Sequence, residues 1–321
     1  MTGNLPPQRQ KLSIACATDE RYVMSLGVAL SSLLLHASPV DVTFYVMSRN
    51  LSDDARNRLR RATRSKRNHA SIEFISVDAE IFDGIPDFAH LSADALIRLL
   101  MPELLPASLE RVLYLDCDLL VFDDIVKLWN KQIEPFSTLA AIDPSIRTVS
   151  SEWGGLPNFA ELGLPPDSPY YNTGLLLIDL KRWRAEAIGS RAIQYVRTHG
   201  DIIRYADQDA INALLFDSIG LLEPAWNVNV KAIQNLASWS DSPFKTEIAA
   251  QQGTLIASPK ICHFAGRAKP WIPGYRGPFL NAWVRHLWKS RWFSRAEFLR
   301  WYGRWSQRHL TTLLKRRLFR E

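Results

Sequence analysis

Two aspartates, Asp116 and Asp118, flank Cys117 between the apolar runs 112–115 and 119–122. Carboxylates in so apolar a stretch are costly unless something pairs with them or neutralises them. Read as one strand, the run points residues 116 and 118 to the same face, with Cys117 on the opposite face as core. Two hard oxygen ligands side by side suit Mg²⁺ or Mn²⁺ rather than a soft metal. An N-cap or a solvated turn is the competing reading of any isolated Asp-x-Asp.

Other segments carry residues of matching chemistry. His263 ends the apolar Ile261-Cys262 and is followed by Gly266, Arg267 and Lys269. A third metal ligand beside cations that hold a phosphate is one reading, with Gly266 allowing close backbone approach. A core histidine followed by a solvated turn is the other. Asn172 stands at the head of an intensely apolar strand, where it could bond a polyol or cap a turn. Asp207-Gln208-Asp209 opens a helix, and spacing alone favours an acidic N-terminal cap. Arg98 lies in a short helical segment whose default is a surface salt bridge.

The elements that would position these residues alternate. Strands are expected at 12–17, 42–47, 72–77 and 111–116, with helices at 22–36, 52–66 and 92–100, the last capped by Ser92 and stopped at Met101-Pro102. That alternation predicts an α/β fold with a mainly parallel sheet. Beyond it, strands are expected at 137–142, 171–179, 219–222 and 261–264, helices at 181–199 and 207–216, a long loop at 146–167 and little pattern over 238–258. Asp19, Asp116, Asp118, Asp143 and His263 all fall at strand ends, where open α/β sheets bind ligands.

Bulk properties set bounds. The 321 residues are 47% hydrophobic and 22% charged, ordinary for a globular protein. Three cysteines, Cys16, Cys117 and Cys262, sit in apolar contexts without metal-finger spacing, as expected of free thiols in a reducing compartment. No apolar run approaches the ~18 residues of a membrane span, and the N-terminus lacks a signal-peptide core. The protein is therefore expected to be cytoplasmic.

Charge is uneven. Residues 281–321 hold eleven Lys/Arg against two Glu, a balance of +9 that leaves −3 for the first 280 of a total of +6. The same stretch contains five of the eleven tryptophans. Trp292, Phe298, Trp301, Tyr302, Trp305, Leu310, Leu313 and Leu314 approximate helical spacing with arginines between them. A basic aromatic helix of this kind suits an anionic membrane surface, against the alternative of a packed helix with a solvated basic face. The boundary is placed at 280/281. Nucleic acid does not fit the acidic body.

Six ordered blocks over about residues 11–275 carry a resemblance: Ala17-Thr18-Asp19; the Arg98 helix through Pro106; Val112 to Asp118; Tyr171-Asn172-Thr173-Gly174 with Leu180-Lys181-Arg182-Trp183; Asp207-Gln208-Asp209; and His263 with Gly266, Lys269, Pro270 and Trp271. The chain resembles glycosyltransferase family 8, the retaining GT-A sugar-nucleotide transferases, and most nearly its bacterial lipooligosaccharide galactosyltransferase and glucosyltransferase branch. The resemblance implies a GT-A, Rossmann-like fold and transfer of a hexose from UDP-galactose or UDP-glucose. It implies a lipopolysaccharide-type acceptor at the inner face of the membrane, and a basic C-terminal segment that associates with that surface. Transfer to a protein or a soluble glycan, or catalytically silent binding of a sugar nucleotide or lipid, are the alternatives.

Residue by residue, it implies Asp116, Asp118 and His263 as ligands of Mn²⁺ (Mg²⁺ as the alternative), and Ala17 and Asp19 in the nucleotide loop. Arg98, Gly266 and Lys269 would meet the donor sugar or its phosphates, and Asp143, Asn172 and Asp207 would hold the sugar. Gln208 would lie near the reacting face of the anomeric carbon. An amide is a poor nucleophile, so the chain is compatible with front-face attack within an ion pair as well as with the double displacement that retention normally suggests. Arg21 and Leu96 depart from the asparagine and tyrosine of the pattern.

Overall fold

The computed structural model describes residues 9–85, 93–234 and 245–318. The chain opens with the alternation β1 (Gln10–Ala17), α1 (Val23–His36), β2 (Val40–Ser48), α2 (Asp53–Ala62) and β3 (His69–Ser76). A 3₁₀ segment, Ala93–Leu100, runs straight into α3 (Met101–Leu104), and β4 (Arg111–Leu115) follows. The expected stop at Met101-Pro102 does not occur. Pro102 occupies the first turn of α3, where its missing N–H has no partner to lose. The cap assigned to Ser92 lies outside the described residues.

After β5 (Leu119–Val121) come α4 (Ile125–Trp129), β6 (Thr138–Ile142), β7 (Tyr171–Asp179), α5 (Leu180–Ala185), α6 (Ile188–His199) and α7 (Ala206–Leu215). The single helix expected over 181–199 is two, broken where Ala187 turns left-handed at φ 51°. The chain closes with β8 (Ile219–Leu221), β9 (Val228–Asn229), α8 (Val230–Gln234), α9 (Lys245–Ala257), β10 (Ile261–His263), α10 (Leu280–Lys289) and α11 (Arg295–Leu318). Helix α9 falls where little pattern was expected. Its lone internal glycine and two consecutive glutamines blur the apolar stripe that marks an amphipathic helix.

Seven strands form one sheet in the order β3-β2-β1-β4-β7-β6-β8. β3, β2, β1 and β4 run parallel, β6 and β8 run parallel, and β7 lies antiparallel to both β4 and β6. The apolar run of β4 is continuous because both its faces are covered. Leu113 and Leu115 enter the core under α1, while Val112 and Tyr114 enter the opposite core with Leu176 and Trp183. Cys16, Cys117 and Cys262 are free and buried.

A second, three-stranded sheet, β5-β10-β9, bears directly on the site. β10 is antiparallel to β5, with His263 opposite Leu119, and Phe264 N donates to the Asp118 carbonyl at 3.0 Å. The Asp-Cys-Asp segment is therefore the turn between two strands of different sheets, not the interior of one strand. Its two carboxylates converge by turning rather than by alternation.

In the C-terminal stretch, Trp283, Leu287 and Trp292 are buried in the core under α1. Trp305 is also buried, and Trp301 stacks on it and lies tilted against Trp283. The aromatic residues grouped by sequence thus divide: most face inward, and among the described residues the exposed large apolar side chains of α11 are Leu299, Tyr302, Leu310 and Leu314. Among the described residues no helix is long and apolar enough to cross a membrane.

Candidate active site

The carboxyl end of the parallel sheet opens into a cleft of about 1090 Å³ that gathers every site residue expected from the sequence. Ala17 and Asp19 come from the end of β1, Asp116 and Asp118 from the β4–β5 turn, Asp143 from the end of β6, and Asn172 from the start of β7. Asp207 and Gln208 come from the first turn of α7, and His263, Gly266 and Lys269 from β10 and the loop after it. Arg98 reaches in from the 3₁₀ segment.

At one end Asp116, Asp118 and His263 each present a ligand atom, all within 4.8 Å of one another. His263 Nε2 lies 3.3 Å from Asp118 Oδ1 and 3.7 Å from Asp116 Oδ2. The space between them depends on Gly174, because a Cβ there would lie 2.3 Å from His263 Cε1 and 2.9 Å from Asp116 Oδ2. Two carboxylates and one imidazole around a gap kept clear of side chains fit a divalent, oxygen-preferring cation. Lys269 is buried beside them, its Nζ bonded to Asp118 Oδ2 and to the Phe264 carbonyl at 2.7 Å. Burial alone would raise the Asp118 carboxyl, but Lys269 and His263 outweigh it and hold it below the ordinary carboxylate range.

Between this cluster and Asp207 stands Arg98. The surface salt bridge expected by default is not what forms: Arg98 is buried, 2.8 Å from Asp116 Oδ1 and 3.0 Å from Asp207 Oδ2, and donates to the Thr173 carbonyl at 3.1 Å. Its neighbour Leu96 is wholly core. Burial, only partly offset by Arg98, pushes the Asp207 carboxyl up to about 6.

The Asp207-Gln208-Asp209 triplet divides its work. Asp209 turns back, accepting from Arg204 N at 2.8 Å, from Tyr205 N at 2.7 Å and from the Tyr170 hydroxyl, and so fixes the entry to α7. The N-cap favoured on spacing does not form: Tyr205 holds that position without a side-chain cap bond, and Asp209 braces the helix entry from inside it. Asp207 and Gln208 face the cleft, where Gln208 Oε1 accepts from Thr173 N at 3.2 Å.

Asp19 accepts from the backbone N–H groups of Arg21 and Tyr22, both at 2.9 Å, and pairs with the Arg21 guanidinium at 2.8 Å. Arg21, one of the two departures, is thereby tied to the loop it interrupts. Cys117 is not confined to the core: it lines the cleft, and its thiol donates to the Ala17 carbonyl at 2.8 Å.

Three further residues belong to the site: Tyr114 and Lys231 line the cleft, and Asn227 is buried behind it. Tyr114 donates its hydroxyl to Asp116 Oδ1 at 2.9 Å. Lys231 packs its stem on Gly266, which sits at φ 80° and has no Cβ to meet it. Asn227 bonds His263 Nδ1 at 3.0 Å. The signal for Asn227 was available: a polar residue inside Trp226-Asn227-Val228, followed by another at Asn229, in an otherwise apolar run.

Comparison with known proteins agrees with this geometry. The model of glycosyl transferase family 8 matches residues 13–273. General stress protein A of Bacillus subtilis is 29% identical over 283 residues, 87% of this chain and 93% of that protein. Lipopolysaccharide 1,2-glucosyltransferase of Escherichia coli is 24% identical over 260 residues, 81% of this chain and 72% of that protein. Among solved structures, the galactosyltransferase LgtC in complex with donor and acceptor sugar analogs superposes with a TM-score of 0.73 at 25% identity, covering 89% of this chain and 98% of that one. The expected GT-A architecture is the one observed.

Proposed function

The chain belongs to glycosyl transferase family 8, and on that premise we propose that it is a metal-dependent retaining hexosyltransferase. It takes galactose or glucose from a UDP-sugar and passes it to a lipopolysaccharide-type acceptor. The observation that carries this reading is the division of one cleft into two ends. Asp116, Asp118, His263 and Lys269 stand where a diphosphate would leave, and Asp143, Asn172, Asp207 and Gln208 stand where a sugar would sit. A bound Mn²⁺ or Mg²⁺ would neutralise charge that develops on the leaving diphosphate.

This chain's own groups do the rest. The Lys269 ammonium, fixed against Asp118, supplies a positive charge at the diphosphate end. Asp207, Asp143 and Asn172 offer acceptors and a donor for sugar hydroxyls, and the two carboxylates add favourable field at a carbon that becomes positive. The Gln208 amide is held by Thr173 and is a poor nucleophile, which favours attack by the acceptor on the same face from which the diphosphate departs. The test is UDP release from UDP-galactose and UDP-glucose with Mn²⁺ present. Turnover of one of them, lost on chelation and restored by Mn²⁺, is expected; turnover indifferent to chelation overturns the metal assignment.

The acceptor would be met at an anionic membrane surface on the cytoplasmic side. What supports this is the exposed face of α11, where Leu299, Tyr302, Leu310 and Leu314 alternate with Arg295, Arg300, Arg304 and Arg308. The exposed Arg60 and Arg61 of α2 and Arg64 beyond it extend the cationic surface, since Arg58 and Arg61 both reach the Trp292 carbonyl, at 3.3 and 3.4 Å. Truncation after Ser294 removes α11 and spares the buried Trp283 and Trp292. It should abolish sedimentation with phosphatidylglycerol vesicles, and unchanged sedimentation would refute the anchor.

A further inference from the structure

Asn227 lies outside every block that carried the family resemblance, yet it joins the two ends of the cleft. Its side chain is buried between His263 and Asn172. The hydrogen bonds around it admit one assignment, which can be built inward from groups with no freedom. Asp143 Oδ2, a carboxylate oxygen, accepts from Asn172 Nδ2 at 2.9 Å. The other face of that amide, Asn172 Oδ1, therefore points back along the chain and accepts the backbone N–H of Gly174 at 3.1 Å. It accepts also from Asn227 Nδ2 at 2.9 Å. With its NH₂ so committed, Asn227 must turn its Oδ1 to His263 Nδ1, 3.0 Å away. An amide oxygen only accepts, so Nδ1 must carry the hydrogen, and Nε2 is the ring nitrogen left to face Asp116 and Asp118.

We infer that Asn227 is a positioning residue for both halves of the reaction. Its oxygen fixes the orientation and tautomer in which His263 can ligate a metal, and its NH₂ fixes the Asn172 amide that braces Asp143 on the sugar side. A partner of this kind orients a histidine ligand and raises its basicity, and loss of such partners typically costs about ten- to hundredfold in metal affinity. The inference rests on the metal reading above, and its test separates the two.

Mn²⁺ affinity, read by electron paramagnetic resonance on the full chain without nucleotide, is compared for wild type, Asp118→Asn, Asn227→Leu and Asn227→Asp. Wild type should bind and Asp118→Asn should not; if the two behave alike, the metal reading fails whatever Asn227 does. Asn227→Leu removes both hydrogen bonds at similar volume and should weaken Mn²⁺ about tenfold or more. Asn227→Asp keeps an acceptor for His263 Nδ1 and loses the donor to Asn172. It should restore Mn²⁺ affinity to within about threefold of wild type while the KM for the UDP-sugar stays raised at least about fivefold, since only the sugar-side brace is missing. Wild-type Mn²⁺ affinity in a folded Asn227→Leu overturns the inference. Should that variant not fold, Asn227→Asp decides alone: metal affinity and KM both unchanged, or both lost together, overturn it.

Discussion

Asp118 and Asp207 stand at opposite ends of one cleft, 7% and 4% exposed, each against a cation, and their carboxyl groups move in opposite directions. Burial drives both upward. At Asp118 it is outweighed by Lys269, which among the described residues pairs with no other carboxylate, and by His263. At Asp207 it prevails, because Arg98 is divided between Asp207 and Asp116, and because the charge of Asp116 adds repulsion. What separates the two is the charge around each, not depth: Lys269 and His263 both favour the carboxylate at Asp118, whereas Asp207 has a shared cation and a neighbouring carboxylate. The end proposed for the diphosphate keeps a committed negative charge. The end proposed for the sugar keeps a carboxyl whose burial is not fully offset.

The largest effect should come from the end with the committed charge. Asp118→Asn removes a proposed metal ligand and leaves the Lys269 ammonium buried without its counter-ion. UDP release from the preferred UDP-hexose should fall by about a thousandfold or more in kcat/KM, on the order of 4 kcal/mol. A loss under tenfold would remove Asp118 from the chemistry. Next in size is Lys269→Met, which keeps most of the stem and deletes the ammonium that lies 5.6 and 5.9 Å from the ring centroids of Tyr22 and Trp271. About a hundredfold loss in kcat is expected, as for other single groups aimed at developing charge. A larger loss in Mn²⁺ affinity than in kcat would instead make Lys269 a support for Asp118 alone.

Asp207 makes the converse case, with a defined sign. Its folded value of about 6 lies above the ordinary aspartate value of 3.8, so between those limits the folded metal-free protein holds a proton that the unfolded chain has released. The stability it contributes is complete below about pH 4 and is lost as pH rises through about 6. Urea unfolding of the metal-free protein at pH 4.5 and pH 7 should show this as a drop of about 2 kcal/mol that Asp207→Asn abolishes. An undiminished drop in the variant would place the titration elsewhere and dissolve the contrast with Asp118.

How much of this was legible follows the same division. Strand–helix alternation gave the sheet, because each buried strand is a continuous apolar run that tolerates one arrangement. The convergence of Asp116, Asp118 and His263 was legible because they are polar residues set directly against such runs. Arg98 was misread from its segment alone, since local spacing says nothing of the two carboxylates that β4 and α7 bring to it. The carboxylates of 116 and 118 converge through a turn between two sheets, which alternation within one strand could not foresee. Asn227 was passed over because its partners are 36 and 55 residues away in sequence. The inward packing of Trp283, Trp292 and Trp305 was hidden for a related reason: helical periodicity marks an apolar face without saying whether protein or lipid covers it.

The smallest effect sharpens the comparison most. Thr173 Oγ1 lies 3.3 Å from Asp207 Oδ2, and its backbone carbonyl separately accepts from Arg98. Thr173→Val keeps the shape and the carbonyl that accepts from Arg98 at 3.1 Å, and deletes the hydroxyl, with it a longer contact from Arg98 at 3.4 Å. A long hydrogen bond to the charged form is worth under about 1 kcal/mol, so turnover should fall less than about fivefold. The direction is fixed all the same: Asp207 loses a donor, its carboxyl moves further up, and the acid limb of the pH–rate profile moves to higher pH. Mn²⁺ affinity should not change, because Asp118 draws its charge stabilisation from Lys269 and His263 and nothing from Thr173. If the metal weakens in step with turnover, the two ends share one electrostatic balance through Arg98 and Asp116, and the opposite shifts of Asp118 and Asp207 are a property of the whole cleft rather than of each cation's partners.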